Sequence, residues 1–257
     1  MSTPGVIPAL RIPRIRHAEA MQITATENAR LLEQVRELGS ADWTAATDCT
    51  RWSVRDVVVH LIASAQAQAS PIEFSRQVWA GRRLTGQVGG AHWVDGVNEA
   101  QLRARRAWTA DQLPQMWESS AAAALAVRRR LPALIRALPV LPLGSPLGTE
   151  LGWKPVAYLF DIGFTRDVWM HRIDIARAVG RPLDLTVEHD GRIVADILAE
   201  WARLHDDPFT LDLAGPAGGC YSARGGGEPT RLDAVEFVRI LSGRGDSGGV
   251  LRHKLPL

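Results

Sequence analysis

From about His17 to Gly180 the chain consists of long stretches rich in Ala, Leu, Arg and Glu; beyond Gly180 it turns to glycines and short β-prone runs. This shift constrains the fold most. Apolar residues repeating at helical spacing over such a length are buried by packing helices on one another, and the last third must form a smaller unit of its own. The first helix is expected from about His17 to Leu38, closed by Gly39, and the second from Ser53, with Ser53 and Asp56 at capping-box spacing. A third helical region spans roughly Gly96 to Leu138, with Asn98 and Glu99 capping its start. It breaks near Thr109, where Thr109 and Gln112 form a second box. Pro139, Pro142 and Pro146 make a loop of Leu138 to Gly148. The fourth helix runs from about Lys154 to Val179, with Pro155 in its first turn and Gly180 and Pro182 at its end.

The expected architecture is therefore α+β. Residues 1–16 form a flexible N-terminal arm, 17–182 a four-helix bundle and 183–257 a small α+β C-terminal domain. The arm carries Pro4, Pro8 and Pro13 among Arg11, Arg14 and Arg16, without the apolar run of a secretory signal. In the last part, a helix over Val187 to Leu204 is followed by a strand at Phe209 to Ala214, with Cys220 to Ala223 as its hairpin partner. Gly225 to Gly227 form a loop, and a helix capped by Asp233 runs to Leu241.

The composition argues against several classes of function. A formal net charge of +2 is too small for the footprint of a nucleic-acid binder, and no apolar run approaches the roughly 18 residues that a membrane span needs. Cys49 and Cys220 make no metal-binding pair or disulfide framework, which fits a reducing cytoplasm. The arginines at 103, 105, 106 and 128 to 130 lack interleaved aromatics and read as solvated helix faces.

The chemistry gathers on helices two and four. Val54, Val57, Val58, Leu61, Ile62 and Ala65 make an apolar stripe, while Asp56, His60 and Ser64 recur every four residues as a narrow polar line. On helix four, Asp167, His171 and Asp174 share a face with Phe160, Phe164, Val168 and Ile175, so their polar groups point into apolar surroundings. Buried carboxylates need compensation, which a divalent cation supplies while neutral imidazoles complete its coordination. Two histidines and one carboxylate on facing helices, with an open position, suit a catalytic zinc site and equally a non-haem iron triad; zinc is preferred. An acid and a histidine four residues apart also occur as plain helix-surface contacts.

Trp52, Ser53, Val54, Arg55 and Asp56, then Val59, His60 and Leu61, together with Arg166 to Asp174 and Gly180, carry a further signal. In combination they resemble the mycothiol-dependent maleylpyruvate isomerase family of DinB-like metalloproteins. The segment from Asp233 to Arg244, ending Leu241, Ser242, Gly243 and Arg244, is similar to that family's sterol-carrier-protein-like C-terminal domain. The resemblance implies that His60, Asp167 and His171 are the metal ligands, that the metal is zinc, and that mycothiol is the thiol cosubstrate. The characterised isomerases have glutamate where this chain has Asp167, which keeps the charge and shortens the reach by one methylene. Asp174 is then expected to accept a hydrogen bond from a ligand imidazole or from Arg172, and Arg244 to bind an anionic part of the thiol or substrate.

The function expected on this reading is isomerisation or S-transfer on a small electrophile by a metal-activated thiol. The expected partners are that electrophile and the thiol, with no nucleic acid or membrane, in a monomer or homodimer. A metal-dependent hydrolase and a non-catalytic, metal-stabilised small-ligand-binding protein are the alternatives. His92, His189, His205 and His253 lie at no helical spacing that completes another ligand set, and Cys49 has no activating neighbour in sequence.

Overall fold

The structure is a computed structural model and describes residues 5–49, 51–88, 92–139 and 152–255. The chain divides into two compact units, one of Arg16–Pro182 and the other of Met1–Ile15 with Leu183–Leu257. No helix among the described residues is long and apolar enough to cross a membrane.

The first unit is helical: α1 (His17–Arg36), α2 (Val54–Ala69), α3 (Pro71–Leu84), α4 (Trp93–Ala104), α5 (Leu113–Arg130), the short α6 (Ala133–Ala137) and α7 (Phe164–Ala178). The four long helices α1, α2, α5 and α7 pack on one another as a bundle. Leu31 and Val35, then Val54, Val57, Val58, Leu61 and Ile62, then Leu113 and Trp117, and Ile175 all enter one core. Its apolar stripe places α2 at the centre, so any polar residue on that helix facing the core must find a partner there. Ser53 caps α2, its hydroxyl accepting from the Asp56 N–H while Asp56 accepts from the Ser53 N–H at 3.0 Å. Gly180, with φ of +67°, closes α7 in the left-handed conformation that glycine adopts without strain.

Three features differ from the expectation. The segment Pro71–Leu84, between the expected second and third helices, is α3, started by Ser70 accepting from the Glu73 N–H with Pro71 at the first position. The helix α4 begins at Trp93 with a box made by His92 and Asp95, so Asn98 and Glu99 lie inside it rather than at its cap. The two helices cross closely because Gly81 and Gly96 face each other: a Cβ on Gly81 would lie 2.6 Å from the Val97 Cα, and one on Gly96 would strike the Gly81 carbonyl. Ahead of α7 the backbone widens into a π turn over Tyr158–Gly163. The expected loop from Leu138 to Gly148 lies, beyond Pro139, outside the described residues.

The second unit contains α8 (Arg192–Trp201), α9 (Ala234–Leu241) and a four-stranded sheet of β1 (Ile7–Pro8), β2 (Phe209–Ala214), β3 (Gly219–Ala223) and β4 (Pro229–Asp233). The strand order is β1-β3-β2-β4, with β2 antiparallel to β3 and parallel to β4. Ile193, Ile197, Trp201, Phe209, Leu211, Phe237 and Leu241 are buried in its core.

The expected flexible arm is corrected here. Ile7 and Pro8 pair in parallel with Tyr221 and Ser222, and Ala9 and Ile12 are buried. Arg192 and Arg203 donate to the Pro13 and Ile12 carbonyls at 3.0 Å. Prolines exclude helix from this segment but leave it able to add an extended edge to a sheet. An edge also explains β4, whose polar sequence is largely exposed.

Candidate metal centre

The first turns of α2 place His60 in the bundle, and α7 brings Asp167 and His171, one helical turn apart, to the same point. The His60 Nε2 lies 3.4 Å from one oxygen of Asp167, and the His171 Nε2 lies 3.5 Å from the other. All three offer a donor atom within 4.8 Å of the rest. Both imidazoles are buried while Asp167 is half-buried, which leaves one open side. Trp52 leans against both rings, with centroids 5.0 Å from His60 and 5.9 Å from His171.

The far nitrogen of each imidazole is also held. His60 Nδ1 lies 2.7 Å from Gln101 Oε1, and His171 Nδ1 lies 2.9 Å from Asp174 Oδ2. An acceptor at Nδ1 favours the tautomer that carries its proton there and frees the Nε2 lone pair. The separations suit a cation. Each imidazole nitrogen stands against a different oxygen of the one carboxylate, and the three groups lie close enough together for one cation to reach them. The fully buried Asp174 faces His171, while Arg172 donates to Glu27 on α1 at 2.6 Å.

Cys49 also reaches this point, which its sequence neighbours did not indicate. Its thiol donates to Asp174 Oδ2 at 3.5 Å and lies 3.9 Å from His171 Nδ1. Burial disfavours charge on His171, but the hydrogen bonds of Asp174 and Cys49 and the charge of Asp167 outweigh it, raising its pKa from 6.5 to about 10. A cation arriving between the imidazoles must then displace a proton. Gln101, on α4, was also missed: a glutamine in mid-helix carries no local signal of its role.

Arg244 lies in the turn after α9, in the other unit, half-buried, with its backbone N–H donating to the Arg239 carbonyl at 2.9 Å. His205 and His253, which no spacing linked, come together there with Asp207. Their rings stack with centroids 4.3 Å apart and planes 7° apart. An ion lies near the plane of each imidazole that binds it, and two stacked planes cannot meet at one ion.

No curated protein matches the chain in sequence. Among solved structures it is similar to a mycothiol-dependent maleylpyruvate isomerase, with 17% identity, a TM-score of 0.57 and 91% of each chain covered. A mutant of such an isomerase, with one histidine replaced by alanine, is similar at 16% identity and a TM-score of 0.56 over 90% of each chain. At these identities the likeness concerns the fold, which the two share over both units. The family described as mycothiol maleylpyruvate isomerase N-terminal domain matches residues 24–176. That match spans more than half of the sequence and contains His60, Asp167 and His171, and the chain belongs to this family.

Proposed function

We propose that the protein is a metal-dependent enzyme that uses a low-molecular-weight thiol, mycothiol, for isomerisation or S-transfer on a small electrophile. The observation that carries this reading is the convergence of two imidazole nitrogens and a carboxylate in the bundle, with donor atoms within 4.8 Å of one another. Family membership and the similar isomerase structures support the thiol and the reaction class.

His60, Asp167 and His171 would hold a divalent metal, with zinc favoured by two nitrogens and one oxygen and a fourth position left for the thiol. The chemistry supplied there would be activation of the thiol, which on a divalent metal would be a thiolate at neutral pH and so a nucleophile for reversible addition to a cis double bond or for displacement of a leaving group. The protein's own part is preorganisation. Asp167 offsets positive charge at the centre, Gln101 and Asp174 fix the two imidazoles, and Trp52 shields one side of the rings from water.

The test uses cobalt in place of zinc. Adding mycothiol to the cobalt-loaded protein should produce a sulfur-to-cobalt charge-transfer absorption, and the His60→Ala and His171→Ala variants should lose most of their metal. No band with any thiol, or unchanged metal content in both variants, overturns the reading.

A further inference from the structure

The partner of His60 does not stand alone. Gln101 Nε2 donates to Gln77 Oε1 at 2.7 Å, and Gln77 Nε2 donates to the Ala63 carbonyl at 2.9 Å and to Glu73 Oε1 at 2.8 Å. Both glutamines and His60 are buried, with exposures of 4%, 3% and 7%. Glu73 is held in turn by Arg76 at 2.6 and 2.7 Å and by Arg105 at 2.6 Å.

The direction of each bond in this chain follows from its far end. The hydrogen bonds of Arg76, then of Gln77 and Arg105, outweigh burial and lower the Glu73 pKa to about 2, so its oxygens can only accept. Gln77 must turn its NH2 towards Glu73, and the Ala63 carbonyl takes the second hydrogen. Its oxygen is then left for Gln101, whose NH2 must face it. Gln101 therefore presents an oxygen to His60, and only a protonated Nδ1 satisfies it.

We propose that Gln101, held in one amide orientation by Gln77 and Glu73, is the positioning residue that fixes His60 with its proton on Nδ1 and its Nε2 lone pair towards Asp167 and His171. There is a real competitor. Asp167 Oδ2 lies 3.4 Å from Nε2 and would favour the opposite tautomer, with a proton where the metal should bind. The relay of amides decides against it. The glycine crossing of α3 and α4 brings the two glutamines into reach, so a helix pair outside the four-helix bundle sets the state of a residue within it. The consequence for metal binding rests on the reading above; the tautomer itself does not.

The experiment is long-range proton–nitrogen NMR of the histidine rings in the metal-free, full-length protein at pH 8, with zinc affinity measured by chelator competition. Wild type should show His60 protonated at Nδ1. Gln101→Met keeps the length without the acceptor and should move the proton to Nε2, weakening zinc binding about 10- to 100-fold. Gln77→Met removes the oxygen that the Gln101 NH2 faces without touching His60; it frees the Gln101 amide to turn and should produce a mixture of both tautomers with a smaller loss of affinity. Wild type protonated at Nε2, or folded Gln101→Met with wild-type tautomer and affinity, overturns the proposal. If Gln101→Met does not fold, Gln77→Met decides, and an unmixed Nδ1 tautomer there removes the relay. If wild type takes up no zinc, the proposed function fails while the tautomer result still stands.

Discussion

Arg128 offers the sharpest test of how α7 is held in place. Its guanidinium, 3% exposed, donates from Nε to the Phe160 carbonyl at 2.5 Å and from Nη2 to the Asp161 carbonyl at 3.3 Å. It also donates to the Thr24 and Thr165 hydroxyls at 2.9 and 2.8 Å. The two carbonyls belong to the π turn ahead of α7, where regular helical bonding is interrupted. In Arg128→Met the threonines can keep their mutual bond of 2.8 Å, but both carbonyls lose this donor, at about 1–3 kcal/mol each. Against this stands the burial of the charge, which lowers the arginine pKa from 12.5 to about 10, an effect of about 3 kcal/mol. With the space left by the guanidinium counted, the net loss comes to about 1–3 kcal/mol. At roughly 2–4 °C per kcal/mol for a chain of this size, the melting temperature should fall by about 2–12 °C in calorimetry. Arg128→Lys keeps the charge but not the fork and should do no better than methionine. A melting temperature at or above wild type for Arg128→Met would refute the view that this fork stabilises the turn, and full recovery by lysine would show that charge alone matters.

Two further outcomes follow from the same geometry. Asp174→Asn keeps the shape but removes the charge facing His171 Nδ1, so zinc affinity by chelator competition should fall about 10- to 100-fold; an unchanged affinity would reduce Asp174 to a packing role. In the other unit, burial and then the charge of His253 lower the His205 pKa to about 4, and neither of its ring nitrogens has a hydrogen-bond partner. A folded pKa below the unfolded 6.5 means stability that is present above pH 6.5 and lost as the pH falls towards 4. Thermal unfolding from pH 8 to 4.5 should therefore decline less in His205→Phe than in wild type, and parallel curves would contradict this.

Much of the architecture was legible because it depends on neighbours along the chain. The apolar stripe of α2, the Ser53 cap and Gly180 each mark a helix or its end through contacts within one or two turns, and the i,i+4 spacing of Asp167 and His171 places them on one face wherever α7 packs. Membership in the family likewise follows from the linear pattern around those residues. Other features required the tertiary structure. The exposed β4 and the two-residue β1 have too few apolar side chains to announce a strand, and they form because β2 and β3 supply unpaired backbone. Cys49 meets Asp174 across 125 residues of sequence, and Gln101 meets His60 across 41. Nothing local distinguishes such a cysteine or glutamine from one facing water. Where two helices cross, and hence which side chains meet, is decided by packing at distant points, here by two glycines that let α3 and α4 approach.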